Sequence, residues 1–245
     1  ESLHLFLPTG EELTLHRGDL ILTEEGLEIS QNGEIRQFVP PFYSYRHDLK
    51  NTAGYFMSNP LDLIDLFIGS EGTLGVFYRI GIRPSLLPRK RTQLLIPADS
   101  PEEILEIRSR IICWNQVQTE KPVSAIEYFD ADCINISEAS ILPEISANGG
   151  ILWVELEENQ QDGEILELFA SMMEQEGLGV DRVQIAESGP MQDQIRHVRH
   201  QIPEAVNRWI AVHHLQKTGL DASVPEDSFP ELFLIACGAV VRFPL

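Results

Sequence analysis

Beyond residue 89 the chain alternates apolar, strand-like runs with amphipathic, helix-like runs, and this alternation restricts the fold more than any other feature. Strands are predicted at Thr92–Ile96, Val123–Phe129, Ile151–Leu156 and Val183–Ala186. Helices are predicted from a capping box at Ser100 to about Asn115, from about Asp162 to Glu176, and from about Met191 to Arg208. Two β–α units whose strands can pair antiparallel indicate a ferredoxin-like α+β domain.

The preceding stretch is predicted to be rich in β structure. Strand-like runs flank the turn residues Pro8-Thr9-Gly10, and others flank Asn32-Gly33, which is the strongest two-residue hairpin signal. Asn59-Pro60 predicts the start of a short helix that runs to Phe67. The character of the sequence changes near Pro84–Pro88, so we predict two domains, residues 1–88 and 89–245.

Charge and cysteine content exclude several classes of function. The formal net charge is −20, and a field of that sign repels nucleic acid and anionic membrane surfaces. No apolar run reaches the 18 or so residues that a membrane span needs. The three cysteines form no CxxC pair, which argues against a disulfide framework or a thiolate zinc site and favours a reducing, cytoplasmic location.

The segment with the most chemical information is rich in glycine. Lys50-Asn51-Thr52-Ala53-Gly54-Tyr55 is followed, fourteen residues after Tyr55, by Gly69-Ser70-Glu71-Gly72-Thr73-Leu74-Gly75. Such glycines allow positive φ and close approach of the backbone to a ligand, but glycines at a tight turn or bulge give the same pattern. The spacing fits neither a Walker A loop nor a GxGxxG turn. A carboxylate such as Glu71 suits ribose hydroxyls or a ring N–H and not a phosphate.

The two glycine-bearing stretches together closely resemble the FAD-linked oxidase family, the flavoproteins related to vanillyl-alcohol oxidase. Members include the glycolate oxidase D subunit, D-lactate dehydrogenases and D-2-hydroxyglutarate dehydrogenase. The resemblance implies that residues 1–88 are the C-terminal part of an FAD-binding α+β domain and that 89–245 form a ferredoxin-like substrate (cap) domain. It implies FAD as cofactor and, as residues that contact it, Asn51, Gly54, Gly69, Ser70, Glu71, Gly72, Thr73 and Gly75.

A second resemblance lies downstream. The run Arg196–Val206 is similar to the family's helix Leu-Arg-x-x-Ile-x-Glu-Ala, and Lys217–Pro225 is similar to its Lys-x-x-x-Asp-x-x-Val-Pro stretch. In the family the helix arginine and this lysine reach the substrate. The resemblance therefore implies that Arg199 and Lys217 bind the substrate carboxylate, a task for which the planar guanidinium is well suited.

Histidines on the same predicted helix raise the question of a metal. His197 and His200 are three residues apart, a spacing at which two histidines can share a metal ion, and His213 and His214 are adjacent. No third ligand lies at a recognisable spacing, so we interpret them as a solvated helix face and predict no metal site.

The resemblance is incomplete at both ends. The family's N-terminal loops that hold the flavin diphosphate, and its C-terminal Gly-His-x-Gly-Asp-x-x-His motif, have no counterpart, and Phe233–Leu245 does not resemble the family's next helix. We therefore expect a fragment that binds flavin weakly by itself and that a second chain or a dimer completes. An electron-transfer or iron–sulfur partner is a further expectation, and the chain itself has no cluster-binding cysteines.

Two functions from different classes follow. The first is an FAD-dependent dehydrogenase that oxidises a small D-2-hydroxy acid such as glycolate or D-lactate by hydride transfer to flavin. The second is a non-catalytic remnant or interaction domain that has kept the fold and no longer binds FAD by itself. No catalytic base is assigned from the sequence.

Overall fold

The chain divides into two compact units in a computed structural model. The structure describes residues 1–31, 34–44, 49–137, 142–159, 164–186, 189–217, 219 and 221–241. Unit 1 comprises Glu1–Leu86 and Ala222–Glu226, and unit 2 comprises Leu87–Asp221 and Asp227–Leu245. The division falls between Leu86 and Leu87, close to the boundary predicted from the sequence.

Unit 1 is built mainly from short antiparallel strands. They are β1 (Ser2–Phe6), β2 (Glu12–His16), β3 (Ile21–Leu22), β4 (Leu27–Gln31), β5 (Glu34–Phe38), β6 (Leu61–Asp62) and β7 (Val76–Gly81), with one helix, α1 (Leu63–Phe67). The described strands form a sheet in the order β2-β1-β7 and the two pairs β3-β6 and β4-β5. Gln31 lies opposite Glu34, as a two-residue hairpin requires; the predicted turn Asn32-Gly33 lies outside the described residues.

The core of unit 1 positions the glycine-rich segment. Leu3 and Leu5 of β1 and Leu15 of β2 pack against Ile64 and Phe67 of α1, all of them less than a tenth exposed. Because α1 ends at Phe67, the segment Gly69–Gly75 follows directly and connects the helix to β7. The loop therefore connects the buried side chains of α1 to a strand that is paired with β1.

The predicted start of this helix was wrong. The helix begins at Leu63 and not at Asn59-Pro60, and its N-cap is Asp62, whose side chain accepts a hydrogen bond from the Ile64 N–H. Residues 61 and 62 instead pair with β3, with Leu22 opposite Leu61. Burial of Leu61 in that pairing competes with the local helix signal, and tertiary packing overrides the sequence preference.

Unit 2 has the predicted ferredoxin-like strand order. Its described elements are β8 (Lys90–Ala98), α2 (Pro101–Val117), β9 (Val123–Asp130), α3 (Ala131–Ser137), β10 (Gly150–Glu158), α4 (Ile165–Gln175), β11 (Gln184–Ala186), α5 (Gly189–Val212) and α6 (Phe229–Val241). The sheet order is β11-β8-β10-β9, and every pairing is antiparallel. This is the βαββαβ arrangement, and the predicted α+β class is confirmed.

Helices cover both faces of this sheet. Buried side chains of α2, α4 and α6 share one core with alternate residues of β8 and β10. On the opposite face Ile134 of α3 and Ile195 of α5 pack with Leu95, Ile151 and Trp153. The sequence did not predict α3 or α6. Phe233 of α6 is only 9% exposed, so the apolar run near the end of the chain packs into unit 2 as a helix.

Strand β7 lies at the edge of the sheet in unit 1. Within the described ranges β7 pairs with β1 alone, and its Val76, Tyr78 and Ile80 are exposed. Completion of the sheet by a second chain or a dimer stays a prediction.

A search of the described helices finds none with the length and apolar character needed to cross a membrane.

An ion pair in unit 2 gives a prediction about pH. Arg182 donates to both carboxylate oxygens of Asp99, at 2.8 and 3.0 Å, and this hydrogen bonding lowers the pKa of Asp99 below its usual value of 3.8. A lowered folded-state pKa stabilises the fold above the unfolded pKa and loses that contribution as the pH falls through the folded value. We therefore expect Asp99→Asn to lower the urea midpoint at about pH 6 and to lower it less at about pH 3.

The control is Asp193→Asn, which removes an exposed pair with Arg196 on α5. We expect it to leave the midpoint essentially unchanged at both values of pH. An equal loss for Asp99→Asn at both values would contradict the ionic origin of the effect.

Candidate functional site

A cavity in unit 1 brings the two glycine-bearing stretches together. Its volume is about 400 Å³, within the range of small-molecule sites. It is lined by Asn51, Thr52, Ala53, Gly54, Tyr55, Phe56, Asp65, Ile68, Gly69 and Glu71. Four of the predicted cofactor residues thus line the same cavity: Asn51, Gly54, Gly69 and Glu71.

The backbone around the cavity adopts conformations that favour glycine. Gly54, Gly69 and Gly72 have φ of 72°, 79° and 78°, and a Cβ placed on any of them would meet nothing within 4 Å. Glu71 has φ 51°, in the left-handed region that costs a residue with a side chain about 1–2 kcal/mol. Such strain is concentrated at functional sites in proteins. The open space above the glycines leaves room for a ligand at the backbone.

Hydrogen bonds join the two stretches into one frame. The Thr73 hydroxyl donates to the Ser70 carbonyl at 2.6 Å, and the Tyr55 hydroxyl lies 2.7 Å from the Thr73 oxygen, so Tyr55 donates to Thr73. The Asn51 side chain accepts from the Ala53 N–H at 2.9 Å and fixes the turn before Gly54. Among the described hydrogen bonds none uses the N–H groups of Glu71 and Gly72, which are free to donate to a ligand.

Two further predicted cofactor residues, Ser70 and Gly75, have different surroundings. The Ser70 hydroxyl is buried and has no hydrogen-bond partner among the described residues, and Ser70 does not line the cavity. At Gly75 a Cβ would lie 2.7 Å from both the Leu5 Cδ1 atom and the Phe6 carbonyl oxygen of β1. Close packing against β1 is therefore a sufficient reason for glycine at position 75.

The charge of the cavity matches one end of FAD and not the other. Its lining includes two carboxylates and no lysine or arginine. Arg17 neutralises one of them, since it donates to both oxygens of Asp65 at 3.1 and 2.7 Å. Tyr55, Phe56 and Ile68 offer apolar surface to a planar ring. The residues present fit the uncharged isoalloxazine end of FAD, whereas the diphosphate would need cations that this cavity lacks.

In unit 2, Arg199 of α5 is tied to the sheet. Its Nε donates to Glu127 Oε2 at 2.6 Å and its Nη2 donates to Glu127 Oε1, so the pair is bidentate. The Arg199 Cζ atom lies 4.9 Å from the centre of the Trp153 ring. These hydrogen bonds raise the pKa of Arg199, although burial acts in the opposite direction. The guanidinium is charged and oriented, and about a third of the side chain is exposed.

Lys217 lies beyond the end of α5, and its partner Asn207 lies on that helix. The Lys217 Nζ donates to Asn207 Oδ1 at 2.8 Å on the surface. Asn207 is eight residues beyond Arg199, about 12 Å along the helix axis. The two predicted substrate residues thus contact different partners, and the structure does not bring them onto a common group.

The sequence did not single out Glu127 or Trp153, and no local motif marks either residue. Within the described part of the chain no group of three or more His, Cys, Asp and Glu side chains is placed to hold a metal ion. The three cysteines are all free thiols.

Comparison with known families shows which family domain unit 2 corresponds to. The family model described as "FAD linked oxidases, C-terminal domain" matches residues 87–234, starting at the first residue of unit 2 and spanning more than half of the chain. Comparison with curated proteins finds none that matches. The match is independent of the cavity in unit 1, and FAD is the cofactor of this family of flavin-dependent oxidoreductases. The chain belongs to the FAD-linked oxidase family and contains its C-terminal domain.

Proposed function

We propose that this chain serves an FAD-dependent oxidation of a small D-2-hydroxy acid, such as glycolate or D-lactate. The observation that carries the proposal is the cavity of unit 1, where both glycine-bearing stretches face the same space. Bound flavin would supply the acceptor for the substrate hydride. The residues of the chain would bind and orient the substrate and the cofactor and exclude water, as in other cofactor enzymes.

We propose that the cavity residues hold the isoalloxazine end of the cofactor. The N–H groups of Glu71 and Gly72 would donate to ring oxygens, and the Glu71 carboxylate would accept from a ring N–H or a ribityl hydroxyl. The glycines at 54 and 69 would allow the ring to approach the backbone. Support comes from the open space above these glycines.

We propose that Arg199 binds the substrate carboxylate, with Lys217 as a second cation. Glu127 accepts hydrogen bonds from two of the five guanidinium N–H groups. The end-on edge, which has one N–H from each terminal nitrogen, stays available to a ligand. That edge matches a carboxylate in two places. Lys217 is exposed, and its flexible side chain is free to leave Asn207 when a substrate binds.

The test is an NMR titration of the full 245-residue chain. We expect riboflavin and FAD to shift the amide resonances of Gly54, Gly69 and Gly72, and to leave those of Gly10 and Gly177 unchanged. Riboflavin has no phosphate, and it should be as effective as FAD because the cavity lining has no cation for the diphosphate. A visible spectrum after gel filtration with excess FAD shows whether the cofactor is retained.

The alternative function predicts the opposite result. If neither flavin moves these glycine resonances at saturating concentration, the cavity does not bind flavin. The chain would then be a non-catalytic domain of the family.

A further inference from the structure

We propose that Glu127 is the positioning residue for Arg199: it holds the guanidinium side-on, so that the end-on edge is presented to the substrate carboxylate. This inference rests on the proposed function of Arg199. It adds a residue that lies 72 positions away in the sequence. It also gives the ion pair a purpose other than stability.

The first argument is the geometry of the pair. Glu127 contacts Nε and Nη2, which form the side-on edge of the guanidinium. The remaining N–H groups are two on Nη1 and one on Nη2, and a parallel pair of them points away from Glu127. Within the described ranges Nη1 has no hydrogen-bond partner. An acid bound on the end-on edge would have blocked this pair, whereas a side-on acid leaves it available.

The second argument is that the rigid sheet, and not the helix alone, sets the orientation. Glu127 on β9 lies directly opposite Trp153 on β10, so one row of the sheet presents the acid and the ring side by side. Trp153 is 4% exposed, and the guanidinium lies over its ring. A long arginine side chain on a helix has many rotamers, and contacts from two strands restrict them before a ligand arrives.

The third argument is that neighbouring charges have other partners. Glu155 also lies close enough to raise the pKa of Arg199, but its carboxylate accepts hydrogen bonds from Ser124 and Gln93. Arg91 pairs with Glu157 at 2.9 Å. Among the described residues the Arg199 guanidinium is hydrogen-bonded by Glu127 alone, so changing Glu127 should alter its orientation selectively.

The experiment follows arginine side-chain N–H resonances of the full chain during titration with D-lactate. Arg199→Lys assigns the resonances. In the natural chain we expect an immobile Arg199 Nε–H, and shifts of its terminal N–H groups on lactate addition. Glu127→Gln should mobilise the guanidinium and weaken lactate binding about tenfold, which corresponds to about 1.4 kcal/mol. Glu127→Asp keeps the charge and should restore part of the affinity.

A matched control is Glu157→Gln. This acid is on the same sheet, is similarly exposed, and pairs with a different arginine, so its removal should leave lactate binding unchanged. Amide spectra of each variant show that the fold is retained.

The outcomes separate the two proposals. If the natural chain binds lactate and Glu127→Gln binds it equally or more tightly, Glu127 does not position Arg199, and the inference is overturned while the proposed function stands. A mobile guanidinium in the natural chain would also overturn it. If lactate fails to move the Arg199 resonances of the natural chain, the proposed role of Arg199 is wrong, and the inference falls with it.

Discussion

Replacing Gly69 with asparagine is expected to weaken flavin binding by at least about tenfold, which corresponds to about 1.4 kcal/mol. Gly69 has φ 79° and borders the cavity, where an added side chain meets no protein atom. Asparagine tolerates this backbone conformation better than other residues with a side chain. Its side chain would therefore occupy the space proposed for the flavin ring, and titration with riboflavin fluorescence measures the loss.

Gly10→Asn is the matched control for this substitution. Gly10 has φ 87°, a Cβ there also meets nothing within 4 Å, and it lies in the turn between β1 and β2, outside the cavity lining. Both variants should lose similar stability, and only Gly69→Asn should lose affinity for riboflavin. Equal riboflavin affinities for the two variants would mean that flavin does not bind in this cavity.

The sheet of unit 2 could be predicted because its signals are local. Each strand is a short apolar run. Helix α2 begins at Pro101, and the side chain of its N-cap, Ser100, accepts from the Glu103 N–H as the capping box predicts. Helices α3 and α6 could not be predicted in the same way. Helix α3 has only seven residues, and α6 is apolar on nearly all sides, so hydrophobic periodicity does not distinguish it from a buried strand.

The candidate site was predictable in its composition and not in its pairings. Both cavity-forming stretches were identified because glycines mark positions of positive φ, which the structure shows at Gly54, Gly69 and Gly72. The bond between Arg199 and Glu127 depends on strand register and on how α5 packs on the sheet. Neither is written in a local pattern, and only the fold makes Glu127 a neighbour of the arginine.

Glu71→Gly should have opposite effects on stability and on ligand binding. Glycine removes the cost of a left-handed φ, although it gains entropy in the unfolded chain, so the free energy of unfolding should rise by up to about 1 kcal/mol. The substitution also removes the carboxylate proposed to accept a flavin hydrogen bond. Riboflavin affinity should fall about tenfold, since a hydrogen bond to a charged group contributes about 1.5 kcal/mol or more.

Lys121→Gly separates these two effects. Lys121 has φ 45°, is exposed like Glu71, and lies in unit 2 before β9, outside the cavity. Urea unfolding should show a similar gain for both variants, and riboflavin titration a loss for Glu71→Gly alone. A gain in stability without loss of affinity would mean that the strain at Glu71 serves no flavin contact. If Glu71→Gly raises the free energy of unfolding and lowers the affinity for riboflavin, the strained backbone at Glu71 is retained for ligand binding and not for stability.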